Sequence, residues 1–418
     1  MRILFVLNNT YNSSDANFNI ALTIMRELQR NGHEIIALGN TDCLEVPSTE
    51  ELNGIQYVRF YHNENRRFIL LLRKYSERKY NRLRKAAGLV LHPLAFLSAL
   101  RYYILPQNTF ENKYVENIEK IQKEQNVDII ISVSNPYITA LATAKSIVSC
   151  KLLEYQLDPH AYKQLLNKKS KKLLYEESYV YDKMDKVLVT DLMYEENKTN
   201  VLSKYLNKME PINFPNIKRL ELKQCNNDIV FDKKCVNCVF VGYFYDDIRN
   251  PKFILDVFDK LENKNIVLHI VGGGSTELLK IYSDNLDNRL ILHGRVPLDN
   301  AFNAMLNADI LVNVGNTISN QMPSKIFDYI SSGKPVVNIC KLDDCPTLKY
   351  SQKYPLCLEL FENNGITNKI IKDFESFCLE NKGRKIEFEV IKELYFDCTA
   401  ECVGQQFNNI INETVVNV

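Results

Sequence analysis

The chain has 418 residues, 45% of them apolar, and 52 Lys and Arg against 51 Asp and Glu give a net charge of +1. That length exceeds one ordinary domain and predicts two, each able to bury its own core. The charge balance excludes a generally basic nucleic-acid-binding protein, and no apolar run reaches membrane-spanning length. The 11 cysteines read as reduced core residues, with Cys235 and Cys238 a lone C-x-x-C lacking the second pair of a metal site.

Ile3 to Leu7 reads as a buried first strand, too short for the apolar region of a secretion signal, so the expected compartment is the cytoplasm. The polar loop Asn8 to Asn17 follows, then helical spacing at Ala21, Ile24, Met25 and Leu28, then a strand from Ile35 to Leu38. This is a βαβ start. Asp15 and Asn17 lie just beyond a strand end, where they either meet a substrate or cap a solvated loop.

Residues 66–101 interrupt the alternation. Arg66, Arg67, Arg73, Lys74, Arg78, Lys79, Arg82, Arg84 and Lys85 alternate with Phe68, Leu71, Leu72, Tyr75 and Leu83, and an apolar stretch from Gly88 to Leu100 follows. Such an insertion is either a helix lying on an anionic membrane surface or a long helix with a solvated basic face.

Asp128 to Val133 is a strand ending at Ser134-Asn135-Pro136-Tyr137, and Lys151 to Gln156 is another, ending at Leu157-Asp158-Pro159-His160. Asp158 and His160 form either an acid/base or acceptor-orienting pair or a structural turn. The first domain is expected over residues 1–212, with an irregular linker over 218–236. The second domain is expected over 237–390, and a helix and tail over 391–418.

The pattern restarts at Cys238 to Val241, which ends in Gly242-Tyr243 ahead of a loop carrying Arg249. Ile266 to Val271 runs into Gly272-Gly273-Gly274, which either admits a phosphate close to the backbone or makes a tight turn. Leu290 to Leu292 leads to His293-Gly294-Arg295. Ile310 to Val314 then opens a strand, loop, helix, strand unit. Pro323 and Ser324 mark the helix start, Lys325 puts a cation in its first turn, and Asp328 lies about one turn on. Gly333 supplies a left-handed stop and Pro335 prevents continuation. One long helix is expected from Glu387 to Asn412.

Taken together, Phe240-Val241-Gly242-Tyr243, Ile270 to Gly274, His293-Gly294-Arg295-Val296, Ala308 to Val312 and Pro323 to Val337 resemble the C-terminal domain of retaining GT-B glycosyltransferases of the family 4 kind. Met1 to Leu7 and Asn31 to Ile35 resemble that family's N-terminal domain, without its usual glycine pair. The resemblance implies an α/β GT-B fold. Two Rossmann-like domains would face each other across a cleft, and the C-terminal helix would cross back to the first.

It further implies a nucleotide-sugar donor and a saccharide or lipid-linked saccharide acceptor, with surface polysaccharide as the product. The family's two glutamates, eight positions apart, fall on Asn320 and Asp328. The second is implied to bind the ribose hydroxyls and the first the donor sugar, which leaves donor identity open. Its arginine and lysine for the diphosphate fall near Tyr243 and Arg249, with Lys325 able to compensate and Arg295 a third cation. Asn320, Arg249 and Lys325 are thus the expected catalytic set. Gly242, Tyr243, Gly272, Gly273, Gly274, Arg295, Pro323, Ser324 and Asp328 are expected at the donor.

Asp15, Asn17, Asp158 and His160 are expected on the acceptor side. No cofactor is expected and, in the absence of Asp-x-Asp, no metal. The basic insertion adds a peripheral location on the inner face of the cytoplasmic membrane. A nucleotide-sugar 2-epimerase of the same fold and a non-catalytic sugar-nucleotide-binding protein remain as alternatives.

Overall fold

Short runs of branched apolar residues, Ile129 to Val133 or Ile310 to Val314, become strands buried on both faces. A computed structural model describes residues 1–11, 16–41, 43, 46–61, 93–104, 106–134, 136–161, 170–226, 229–286 and 288–416. Asp15 and the basic run Arg66 to Lys85 lie outside these described residues. The chain divides into two compact units, Met1–Phe214 with Val403–Val418, and Pro215–Cys402.

In the first unit the elements are β1 (Arg2–Asn9), α1 (Ala16–Arg30), β2 (Glu34–Thr41), β3 (Thr49–Leu52), β4 (Ile55–Tyr61), α2 (Pro93–Ile104), α3 (Pro106–Gln125), β5 (Ile129–Ser134), α4 (Ile138–Lys145), β6 (Lys151–Gln156), α5 (Ser170–Lys183), β7 (Lys186–Val189), α6 (Asp191–Asn197) and β8 (Met209–Pro211). The strands form one sheet in the order β3-β4-β2-β1-β5-β6-β7-β8. β1 is central, with Ile3 beside Ile35 on one flank and Ile129 on the other. Among the described residues of this sheet only β3 is antiparallel, paired with β4 through Asn53-Gly54, both at positive φ. Leu4, Val6, Ile36 and Ile130 of the sheet pack with Tyr114 and Ile118 of α3 and Val180 and Tyr181 of α5.

In the second unit they are β9 (Val236–Tyr243), α7 (Lys252–Lys260), β10 (Ile266–Gly273), α8 (Thr276–Asn285), β11 (Leu290–Gly294), α9 (Leu298–Asn307), β12 (Ile310–Val314), α10 (Lys325–Ser331), β13 (Val336–Cys340), α11 (Leu348–Ser351), β14 (Cys357–Phe361), α12 (Asn368–Asn381), α13 (Phe388–Leu394) and α14 (Ala400–Val416). The six parallel strands run β11-β10-β9-β12-β13-β14, the doubly wound order. Phe253, Val257 and Phe258 of α7 and Phe374 and Cys378 of α12 complete its core. The Cys238 thiol faces that of Cys378 at 3.8 Å inside it, so Cys235 and Cys238 do not act as a pair.

The long helix expected from Glu387 to Asn412 is instead two helices. Thr399 is extended, forms a parallel bridge with Ile217, and lies beside the Cys398 carbonyl that accepts from Ile217 N at 3.0 Å. A backbone carbonyl committed to a strand-like partner cannot continue the helical ladder, so α14 starts afresh at Ala400.

Candidate functional site

Parallel sheets of this order bind ligands at the carboxyl ends of the strands, where the winding direction reverses. In the second unit that point lies between β9 and β12. Two loops leave it and are tied together. Thr317 N donates to Ile248 O at 2.9 Å, and Thr317 Oγ1 to Asp247 O at 3.0 Å. Arg249, from the loop after β9, donates from Nε to Asn316 Oδ1 at 3.0 Å. Burial lowers the guanidinium's pKa from its ordinary value, but an arginine stays charged.

The loop after β12 delivers Asn320 and Pro323, both buried, then Ser324, which is exposed. Ser324 occupies the cap position of α10 in helical geometry and makes no side-chain cap bond, unlike the expectation from its residue type. α10 has only seven residues, so its dipole adds little and the charge on Lys325 dominates there. Lys325 Nζ lies 3.0 Å from Asp328 Oδ2 and 5.3 Å from the centre of the Phe302 ring. Tyr329 on the same helix accepts from Val241 N at 2.9 Å, which ties α10 to β9 across the reversal point. Two cations and one acid are therefore presented by segments anchored to neighbouring strands.

The glycines after β10 have a structural cause. A Cβ at Gly272 would lie 1.7 Å from Gly242 O, and one at Gly274 would lie 2.0 Å from Phe244 O. Both have positive φ, +140° and +88°. They let the turn after β10 lie directly on the turn after β9, chain against chain. Gly273 is different, since a Cβ there would make only ordinary contact with the Tyr243 ring at 3.5 Å. Ser275, itself left-handed, donates to Asp246 Oδ1 at 2.6 Å and closes the same turn. Tyr243 is exposed and tilted toward Tyr245, with ring centres 5.1 Å apart. Arg295 is exposed after β11, two strands from the reversal point.

In the first unit the corresponding reversal lies between β1 and β5. Asn17 sits in the first turn of α1, beyond the end of β1. Asp158 and His160 follow β6. The His160 imidazole meets Glu176 of α5, Nε2 to Oε2 at 3.0 Å, and stacks on Tyr137 with ring centres 3.8 Å apart. Glu176 and Tyr137 were not among the sequence candidates. No spacing rule links them to His160, because they come from separate elements. Asn316, the partner of Arg249, was missed for the same reason.

Residues 236–346 match the family model described as glycosyl transferases group 1. No curated protein matches the sequence. Among solved structures, the chain is similar to the lipopolysaccharide outer core galactosyltransferase WaaB in its apo form, at 15% identity and a TM-score of 0.58 over 99% of each chain. It is also similar to sucrose-phosphate synthase from Thermosynechococcus elongatus, at 11% identity and a TM-score of 0.61 over 100% of each chain. It is likewise similar to trehalose-6-phosphate from E. coli bound with UDP-2-fluoro glucose, at 10% identity and a TM-score of 0.58 over 98% of this chain and 99% of that one. At such identities the likeness establishes the fold, which is GT-B, with two Rossmann-like parallel-sheet domains. With a glycosyltransferase group 1 segment on that fold, the chain is a glycosyltransferase.

Proposed function

We propose that this enzyme moves a sugar from a nucleotide-sugar held by the second unit to a saccharide or lipid-linked saccharide acceptor, with retention, without a metal, in surface polysaccharide assembly. The observation that carries the reading is the convergence of Arg249 and the Asn316–Lys325 loop on the reversal point of one sheet. Breaking the bond between the sugar's anomeric carbon and the diphosphate builds negative charge on the departing oxygen. Fixed cations there stabilise the transition state more than the ground state. In this reading Arg249 and Lys325 take the diphosphate, with Arg295 a further cation beyond them. Asp328 accepts from the ribose hydroxyls, and Asn320 hydrogen-bonds the donor sugar. The departing phosphate helps to remove the acceptor's proton, so no dedicated base is required.

The Lys325–Asp328 pair fits this assignment. Each group partners the other at 3.0 Å, and each would find a replacement in the ligand, the diphosphate for the ammonium and the ribose diol for the carboxylate. Among the described residues no helix is long and apolar enough to cross a membrane. A lipid-linked acceptor would therefore be reached from the membrane surface, where the basic run Arg66 to Lys85 supplies charge of the right sign.

The first test is binding. Uridine diphosphate and uridine are titrated against the protein and against Lys325→Ala, followed by calorimetry. The variant is expected to lose about tenfold in affinity for the diphosphate and little for the nucleoside. Equal losses for both would remove Lys325 from the phosphate role. A panel of nucleotide-sugars with saccharide acceptors then tests transfer itself.

A further inference from the structure

Leu157 to Ala161 form the turn that leaves β6 at the carboxyl edge of the first sheet. Two adjacent carboxylates of α5 hold it, one through the backbone and one through a side chain. Glu177 is 1% exposed. Its Oε2 accepts at 2.9 Å from the backbone amide of Ala161, the residue after His160. Its Oε1 accepts from Gln156 Nε2 at 2.6 Å and from the Tyr181 hydroxyl at 3.3 Å. Gln156 Nε2 donates as well to Asp158 O at 3.1 Å, so both flanks of the turn lead to one buried carboxylate. Glu176, the next residue back, takes the imidazole at 3.0 Å, and Tyr137 covers a ring face with the two planes 7° apart.

A turn does not need this much. Burying a carboxylate is costly unless several donors compensate it, and here all but the Tyr181 hydroxyl come from the turn that carries His160 or from the end of β6. The ring is held at Nε2 and on one face, and the turn that carries it is held through the Ala161 amide. A carboxylate can only accept, so Nε2 carries the hydrogen and the lone pair of the neutral ring resides on Nδ1.

We propose that Glu176 and Glu177 are positioning residues that fix the orientation and tautomer of His160 so that its imidazole orients a hydroxyl of the saccharide acceptor. The last clause rests on the reading of this edge as the acceptor side. The rest stands on geometry alone.

The test uses the full chain labelled with 15N at its 6 histidines, with His160 assigned through His160→Gln. Long-range 1H–15N spectra are expected to show His160 with its hydrogen on Nε2. Glu176→Gln, whose amide can donate or accept, is expected to give a mixture of tautomers at His160 alone, and Glu176→Asp to restore the single form. Glu177→Gln is expected to broaden the His160 signals by loosening the turn, with Glu177→Asp as the second variant if the first does not fold. An unchanged His160 tautomer in Glu176→Gln, or unchanged line widths in both Glu177 variants, would overturn the positioning role whatever the activity.

In transfer assays Glu176→Gln is expected to raise the acceptor KM by about tenfold and leave the donor KM unchanged. A tautomer change with no kinetic change would overturn the acceptor clause. Absence of any transfer by the unaltered enzyme would count against the proposed function and leave the spectra to decide the positioning.

Discussion

Glu154, in the middle of β6, is wholly enclosed and accepts from the Ser132 hydroxyl. Burial pushes its carboxyl up to about 8, with Glu177 adding a like charge nearby. At neutral pH this residue keeps its proton. The folded state therefore binds that proton more tightly than the unfolded chain, whose value is the ordinary 4.5. The stability so gained is complete below that pH, declines as pH rises, and is exhausted above about 8. Glu154→Gln, neutral throughout, is expected to match the natural chain near pH 4 and exceed it by on the order of 5 kcal/mol above pH 8. Urea unfolding midpoints across pH decide this; parallel curves for the two proteins would remove Glu154 from the titration. Such a residue is invisible in sequence, where Leu-Leu-Glu-Tyr-Gln reads as a strand with a polar side. Only its enclosure in the fold, against Ser132 and near Glu177, makes its acid group neutral. The contrast with Gly272 and Gly274 is instructive, since a glycine run is conspicuous in any sequence. It marked close backbone approach, and the fold shows that the approaching group is the neighbouring turn.

Among the elements, α2 carries four exposed apolar side chains. Leu94, Leu97, Leu100 and Ile104 are exposed, and helical spacing puts them on one side with Arg101. An exposed apolar stripe preceded in sequence by a basic run has the composition of an interfacial helix. If α2 meets the membrane, the pair Leu94→Ser and Leu97→Ser would weaken sedimentation with vesicles containing phosphatidylglycerol by about tenfold, since each leucine withdraws apolar area from the bilayer. An intact protein that ignores anionic vesicles would end the membrane reading. α10 makes the opposite point. Its start at Lys325 and its glycine stop at Gly333, φ +76°, were legible from Pro323, Ser324 and Gly333. The serine cap bond was not formed, because Ser324 is already helical and its hydroxyl cannot reach back over the first turn.

For the whole molecule the telling feature is the last helix. Residues Val403–Val418 belong with the first unit although the chain has just left the second. Phe407 meets Tyr155 edge-on at 4.9 Å, and Asn408 Oδ1 lies 2.7 Å from His33 Nε2. A Cβ at Gly404 would lie 2.4 Å from Glu27 Cβ, so the helix rides tightly on α1. Ending the chain after Cys402 would remove the buried Val403, Phe407 and Ile411 and uncover the surface beneath them. The expected result is a loss of at least about 3 kcal/mol in the first unit, seen as a separate, earlier transition in calorimetry. A single unchanged transition would show that the helix is dispensable.

By itself the sequence determined the alternation of apolar strands and amphipathic helices, the two-part organisation and the segment from Ile310 to Cys340, because those signals depend on neighbours a few residues apart. The three-dimensional fold alone decided that Arg249 would meet Asn316, that His160 would lie between Tyr137 and Glu176, and that Glu154 would stay protonated. Each depends on groups from separate elements sharing one small volume, and on how much water is left there. Neither is written in any local spacing.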